Sequence, residues 1–175
     1  MRWAITPQGR GKLVAFRSIT SDADLKPGEF ASSVDPTGMV LAEDGTSLRS
    51  PTTAERLRPI KDARQAYINA RRDAVIAGGV SFNGWTFDTD PTSVNNLTAA
   101  VAFITAAPGA GFQVPPAVSW RDATNVDRDL TPTQLVGLGA AIFMLVQTAH
   151  VTARSLKDAI EAAVSEAAIN AIDWP

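Results

Sequence analysis

Apolar residues recur at three- and four-residue steps from Ile60 to Ala77, while most charged residues of this segment fall outside that stripe. Such spacing places the apolar side chains on one face of a helix. Gly78-Gly79 follows and supplies the left-handed backbone with which many helices end. The pattern predicts a helix over about 60–77.

Two further helices are predicted over about 91–106 and 132–163. Asp90-Pro91 and Thr131-Pro132 mark their starts, because Asp and Thr cap free N–H groups and Pro suits the first helical position. Ser165 is expected to cap a short final helix. The longest helix has an apolar seam whose residues are spaced alternately by three and four positions. The first half of this helix is also apolar on both sides of the seam, so we expect it to be buried on several sides. The seam contains Leu135, Leu138, Ile142, Leu145, Ala149, Thr152 and Leu156.

Two short β-hairpins are predicted between the helices, at about 80–88 and 118–130. In the first, aromatic strands flank Asn83-Gly84, the strongest short hairpin signal. The second pairs the segment around Trp120 with residues after Asn125. An isolated hairpin is unstable, so at least one face of each must pack on helices.

Residues 1–59 carry frequent Pro and Gly, which exclude a long helix. Strands are expected at 12–16 and at 39–41, the latter returning through Asp44-Gly45 toward Leu48. We expect a β-rich or extended N-terminal arm over 1–59 and a helical domain over 60–175. The predicted fold class is α+β, dominated by helices.

Composition excludes several classes of function. The 175-residue chain has no Cys, so it has neither disulfides nor thiolate sites. Its net charge of −2 gives no reason to expect nucleic-acid binding. The apolar run Leu135–Val146 is shorter than the roughly 20 residues of a membrane span, so a soluble protein without membrane insertion is expected.

Candidate chemistry is sparse, so no catalytic, metal or cofactor site is predicted. The sole histidine, His150, lies in the longest helix, and a zinc site needs further ligands. Asn125, Asp127 and Asp129 match the start of a calcium loop, but the positions that need Gly and a bidentate Glu hold Leu130 and Val136.

Several motifs resemble an uncharacterised domain family of phages and prophages that is usually encoded beside tail-fibre genes. They are Phe87-Asp88-Thr89-Asp90, the order Trp120, Asn125, Leu130-Thr131, the segment 156–160, and Ile172-Asp173-Trp174-Pro175. The resemblance covers residues 60–175. It implies a tail-fibre or tail-assembly role in the virion, after assembly in the host cytoplasm, and brings no catalytic residues.

The leading hypothesis is therefore a structural connector, associated with tail fibre or baseplate, that acts through protein–protein contacts and is present in several copies or as a homo-oligomer. A tail-fibre assembly chaperone is the alternative. Less favoured are a polysaccharide-binding module that uses Trp85 and Trp120, and a hydrolase that uses Asp88 and Asp122. The N-terminal arm, residues 1–59, is expected to bind a partner protein. Candidate interface residues are Phe82, Trp85, Trp120, Leu135, Leu138, Ile142, Leu145 and Leu156.

Overall fold

The structure is a computed structural model that describes residues 1–9 and 12–175. Helices dominate, and the strands form short antiparallel sheets, so the predicted α+β class is confirmed. The helices are α1 (Thr53–Ala77), α2 (Pro91–Ala106), α3 (Pro132–Ala162) and α4 (Glu166–Ala171). The strands are β1 (Arg2–Thr6), β2 (Ala15–Ile19), β3 (Phe30–Ser32), β4 (Val40–Leu41), β5 (Leu48–Arg49), β6 (Val80–Phe82), β7 (Trp85–Phe87), β8 (Val118–Arg121) and β9 (Asp127–Leu130).

Contacts divide the chain into two compact units. Residues 1–63 with 163–169 form one, called here the N-terminal unit, and residues 64–162 with 170–175 form the other, called the helical unit. The division of function into an attachment arm over 1–59 and a tail-associated domain over 60–175 stays a prediction.

The N-terminal unit contains a three-stranded antiparallel sheet with β1 in the centre, between β2 and β3. One small core cluster of this unit contains Ile5, Val14 and Leu41. The predicted hairpin through Asp44-Gly45 is confirmed as β4 and β5. The strand expected at 12–16 is instead β2, at 15–19. Its pairing with β1 begins where Thr6 lies opposite Ala15, and Leu13 forms only an isolated bridge with Val40.

Helix α1 begins at Thr53, so the predicted start near Ile60 is wrong. A capping box forms just before it: Thr52 N–H donates to Glu55 Oε2 at 2.8 Å, and Glu55 N–H donates to Thr52 Oγ1 at 3.2 Å. These bonds satisfy N–H groups that a helix start leaves free. Pro59 lies inside the helix and costs it one backbone hydrogen bond, yet the helix continues to Ala77.

The other predicted helices and hairpins are confirmed. Asn83 and Gly84 both have positive φ, at 51° and 83°, as the tight turn between β6 and β7 requires. Asp90 caps α2, and Ser165 Oγ accepts from Ala168 N–H at the start of α4. Strands β8 and β9 pair from Val118 with Leu130 to Arg121 with Asp127. The core lies between these hairpins, α2 and α3, and contains Val80, Phe87, Leu97, Leu130, Leu135, Leu138 and Ile142.

Candidate interaction surface

One side of α3 is buried by the chain itself. Leu135, Leu138 and Ile142, three of the predicted interface residues, pack in the core of the helical unit. Leu145 is partly buried against the same core, and Leu156 is partly buried further along the helix. The seam read from the sequence is thus the side of α3 that the unit uses for its own packing.

The predicted aromatic residues of the hairpins also pack against this core. Phe82, Trp85 and Trp120 are each partly buried there. The ring of Phe82 lies against Gly137 of α3, where an added Cβ would come within 3.0 Å of Cζ. Glycine at this position therefore lets the first hairpin approach the helix closely. These aromatic residues join the hairpins to the helix.

A buried ion pair fixes the second hairpin. Asp122 is 3% exposed and accepts from Thr124 N–H, Thr124 Oγ1 and Val126 N–H, while Arg128 Nη2 lies 2.7 Å from its second oxygen. The Thr124 hydroxyl, helped by the N–H of Val126 and by Arg128, holds the pKa of Asp122 far below its usual range. Arg128 also lies over the ring of Trp85, 5.0 Å from its centroid.

This arrangement bears on the two functions that the sequence left as minor possibilities. A carboxyl group that stays ionised at ordinary pH cannot act as a general acid, which Asp122 would have to do in one version of the hydrolase hypothesis. The Arg128 guanidinium occupies one face of Trp85, so that face is not open to a sugar ring. The turn between β8 and β9 has a signal in the sequence. Asp122 followed two residues later by Thr124 is typical of a turn that a side chain stabilises.

The opposite side of α3 is exposed and mainly apolar, with Gln147 as an exposed polar residue on it. Val136, Phe143, Met144 and Val151 are 42%, 60%, 60% and 55% exposed. At about 100° per residue they lie opposite Leu138 and Ile142, with Ala140 between them. Residues 132–153 contain no Asp, Glu, Lys or Arg. We call Val136, Ala140, Phe143, Met144 and Val151 the exposed face of α3.

A groove of about 200 Å³ lies between α2 and α3, at the edge of this face. It is lined by Val94, Leu97, Thr98, Val101, Gly139 and Ile142. The Thr98 hydroxyl donates to Val94 O at 2.8 Å, so the polar group of this side chain is already satisfied within α2. The groove therefore presents a mainly apolar lining.

Residues 59–173 match the family described as Domain of unknown function (DUF4376). The match covers more than half of the chain. The chain belongs to the DUF4376 family. No curated protein and no solved structure matches it. The resemblance to a domain family of unknown function, expected over 60–175, is thereby confirmed in its coarser form.

The motif Phe87-Asp88-Thr89-Asp90 has a structural role in the DUF4376 domain. Phe87 fills the core, Thr89 donates its hydroxyl to Ile76 O at the end of α1, and Asp90 caps α2. A second groove, of about 360 Å³, lies here and is lined by Asp73, Ile76, Ala77, Asp88, Thr89, Asp90 and Pro91. Asp90 is engaged by the N–H groups of Thr92 and Ser93, and Asp73 pairs with Arg72 at 2.7 Å.

The C-terminal motif Ile172-Asp173-Trp174 holds the end of the DUF4376 domain to α1. Arg64 Nε donates to Ile172 O at 2.6 Å, and Tyr67 Oη donates to Asp173 Oδ1 at 2.7 Å. The Tyr67 hydroxyl lowers the pKa of Asp173, and Asp173 in turn raises the pKa of Tyr67. The sequence showed the motif but not its partners, which lie about a hundred residues earlier.

Two further results bear on binding. Among the described residues no three His, Cys, Asp or Glu side chains lie where they could hold a metal ion, and His150 is exposed on α3.

Within residues 1–9 and 12–175, α3 is the one helix long and apolar enough to cross a membrane. Its best 18-residue window has a mean hydropathy of 1.6 and is 22% buried. The expectation considered only the run Leu135–Val146, and the whole helix is longer and passes by length and composition.

Proposed function

We propose that this protein is a structural connector of a bacteriophage tail, associated with the tail fibre or baseplate, and that it acts through protein–protein contacts. The observation that carries the proposal is the exposed face of α3. Uncharged, apolar surface of this length is costly to leave in water, and such patches mark interaction sites. The placement in a tail rests on the resemblance of the motifs in residues 60–175.

The state of the polar side chains also supports a binding role rather than catalysis. Across residues 1–9 and 12–175, no buried side-chain nitrogen or oxygen lacks a hydrogen-bond partner. The carboxylates of Asp90, Asp122 and Asp173 are engaged in capping a helix, fixing a turn and holding the C-terminus. We therefore propose that the protein is not an enzyme and needs no cofactor.

The proposed partner is a tail-fibre or baseplate protein, and residues 1–59 are the proposed attachment region. The short strands of the N-terminal unit suit this role, because a strand with a free edge can pair with a strand from another chain. Nucleic acid is not a proposed partner, since the net charge of −2 offers no attraction for phosphate.

Quantitative mass spectrometry of purified particles of the phage that encodes this chain tests the proposal. We expect the chain to be present in mature particles. Its copy number should stand in a small-integer ratio to the copy number of a baseplate or fibre protein, because tail assemblies are symmetric. A minor capsid protein measured in the same digest serves as the internal standard.

The same experiment separates the connector from the assembly chaperone. A chaperone would be absent from mature particles but would co-purify with the fibre protein from lysates. Absence from both fractions would remove the tail assignment altogether.

A further inference from the structure

We propose that the exposed face of α3 and the adjoining groove between α2 and α3 form a homodimer surface, through which two copies of the DUF4376 domain pair about a two-fold axis. This inference does not depend on the tail assignment, because it rests on the surface of the helical unit alone.

A two-fold interface must be complementary to itself, so the same surface has to supply both the projecting group and the site that receives it. Phe143 and Gly139 are four residues apart on α3, one helical turn. Phe143 projects with 60% of its surface exposed, and Gly139 lines the groove. When two copies meet antiparallel across α3, each Phe143 can enter the groove of the other.

The size and lining of the groove fit this occupant. At about 200 Å³ it is smaller than the 300–1,000 Å³ of typical small-molecule pockets, and suits one side chain. Its lining is apolar apart from Thr98, whose hydroxyl is satisfied by Val94 O. A polar or charged group would find no partner there and would lose its hydration.

Charge also favours a second copy of the chain. Because residues 132–153 contain no Asp, Glu, Lys or Arg, two copies can approach along this stretch without repulsion between such charges. A charged partner surface would meet no counter-charge along this stretch. Ala140 at the centre of the exposed face allows two helices to approach closely.

The area is in the range that a dimer needs. From their exposed fractions, the four large side chains of the face present about 400 Å² of apolar surface. A standard interface buries about 800 Å² per partner, somewhat more than half of it apolar. The four side chains therefore come close to the apolar share of such an interface, and the groove lining adds a smaller apolar area beside them.

Sedimentation velocity of the full chain over a range of concentrations tests the pairing. We expect the wild type to be a dimer at micromolar concentration, and Phe143→Glu to raise the dissociation constant at least about 30-fold, as for a central hot-spot residue. Phe103→Glu is the matched control, since Phe103 is 50% exposed on α2 but does not line the groove. Circular dichroism shows whether both variants keep the wild-type fold.

Cysteine crosslinking gives a second measurement, and the chain contains no native Cys to interfere. Under mild oxidation Ala140→Cys is expected to form a covalent dimer, because the axis passes near this residue, whereas Phe103→Cys stays monomeric on a denaturing gel. This result holds even if the Glu variant misfolds.

Three outcomes would overturn the proposal. One is a wild type that stays monomeric up to about 100 µM, and another is an equal effect of the two Glu substitutions. The third is that the wild-type monomer floats with phosphatidylcholine vesicles and that Phe143→Glu abolishes this flotation. Lipid would then be what covers the exposed face of α3. None of these depends on whether the chain is found in phage particles, so failure here and failure of the tail assignment are distinguishable.

Discussion

The N-terminal unit and the helical unit are stabilised in different ways. In the N-terminal unit a small core, centred on Ile5, Val14 and Leu41, is accompanied by carboxylates that accept backbone N–H bonds. Asp44, for example, accepts from the N–H groups of Thr46 and Ser47. In the helical unit a larger continuous core joins two helices to two hairpins.

Ionised carboxylates accept backbone N–H bonds in both units, at Asp44 and at Asp122 for example, so the two units differ chiefly in the size of their cores. Such hydrogen bonds weaken when the carboxylate is protonated, and the N-terminal unit, which has the smaller core, should lose the larger share of its stability in acid. A close-packed apolar core responds instead to the removal of a few methyl groups.

Leu138→Ala should destabilise the helical unit by about 2–5 kcal/mol, because Leu138 is fully buried and its removal leaves a cavity. Urea unfolding followed by circular dichroism measures the change. Phe103→Ala is the control: this half-exposed residue should change the free energy of unfolding by less than about 1 kcal/mol. Similar losses for both variants would mean that packing around α3 is not what stabilises this unit.

Gly79→Ala should cost about 2–3 kcal/mol, since Gly79 has φ of 81° and an added Cβ would lie 2.7 Å from Phe87 O. Gly45→Ala in the N-terminal unit is the matched substitution. Gly45 has φ of 75° but nothing within 4 Å of the added Cβ, so backbone strain of about 1 kcal/mol remains. Thermal unfolding of both variants measures the difference, and equal effects would refute the steric argument.

Local signals were enough to predict much of the fold. Asn83-Gly84, Asp90-Pro91 and Ser165 each act within a few residues, and the structure has the turn and the two caps that they predict. The same logic would have placed the start of α1, because Thr52 and Glu55 have capping-box spacing. Strand β1 was missed because its central place in the sheet depends on pairing with both β2 and β3, which no local pattern identifies.

The candidate surface was harder to predict, because the first half of α3 is apolar on several sides. Periodicity identified the seam of Leu135, Leu138 and Ile142, which the core covers. It could not show that Phe143 and Met144, equally apolar, stay exposed, since exposure depends on where α2 and the hairpins pack. The groove at Gly139 likewise needs both helices in place.

The smallest predicted effect concerns Glu55 in the N-terminal unit. The two Arg49 hydrogen bonds, both 2.7 Å, together with the N–H of Thr52, lower the pKa of Glu55 from 4.5 to about 2. The folded state therefore takes up its proton at lower pH than the unfolded chain. The stabilisation that depends on this charge is present above pH 4.5 and is lost as the pH falls toward 2.

Glu55→Gln should therefore reduce stability at pH 6, and its difference from the wild type should shrink steadily between pH 4.5 and pH 2. A double-mutant cycle with Arg49→Gln isolates the contribution of the pair, because the second substitution should then add little. Hydrogen exchange measured at each pH shows whether the loss is confined to the N-terminal unit. A difference that stays constant down to pH 2 would mean that it does not arise from the charge of Glu55, since Gln can still accept the capping bond from Thr52 N–H. The predicted acid sensitivity of the N-terminal unit would then lose this support.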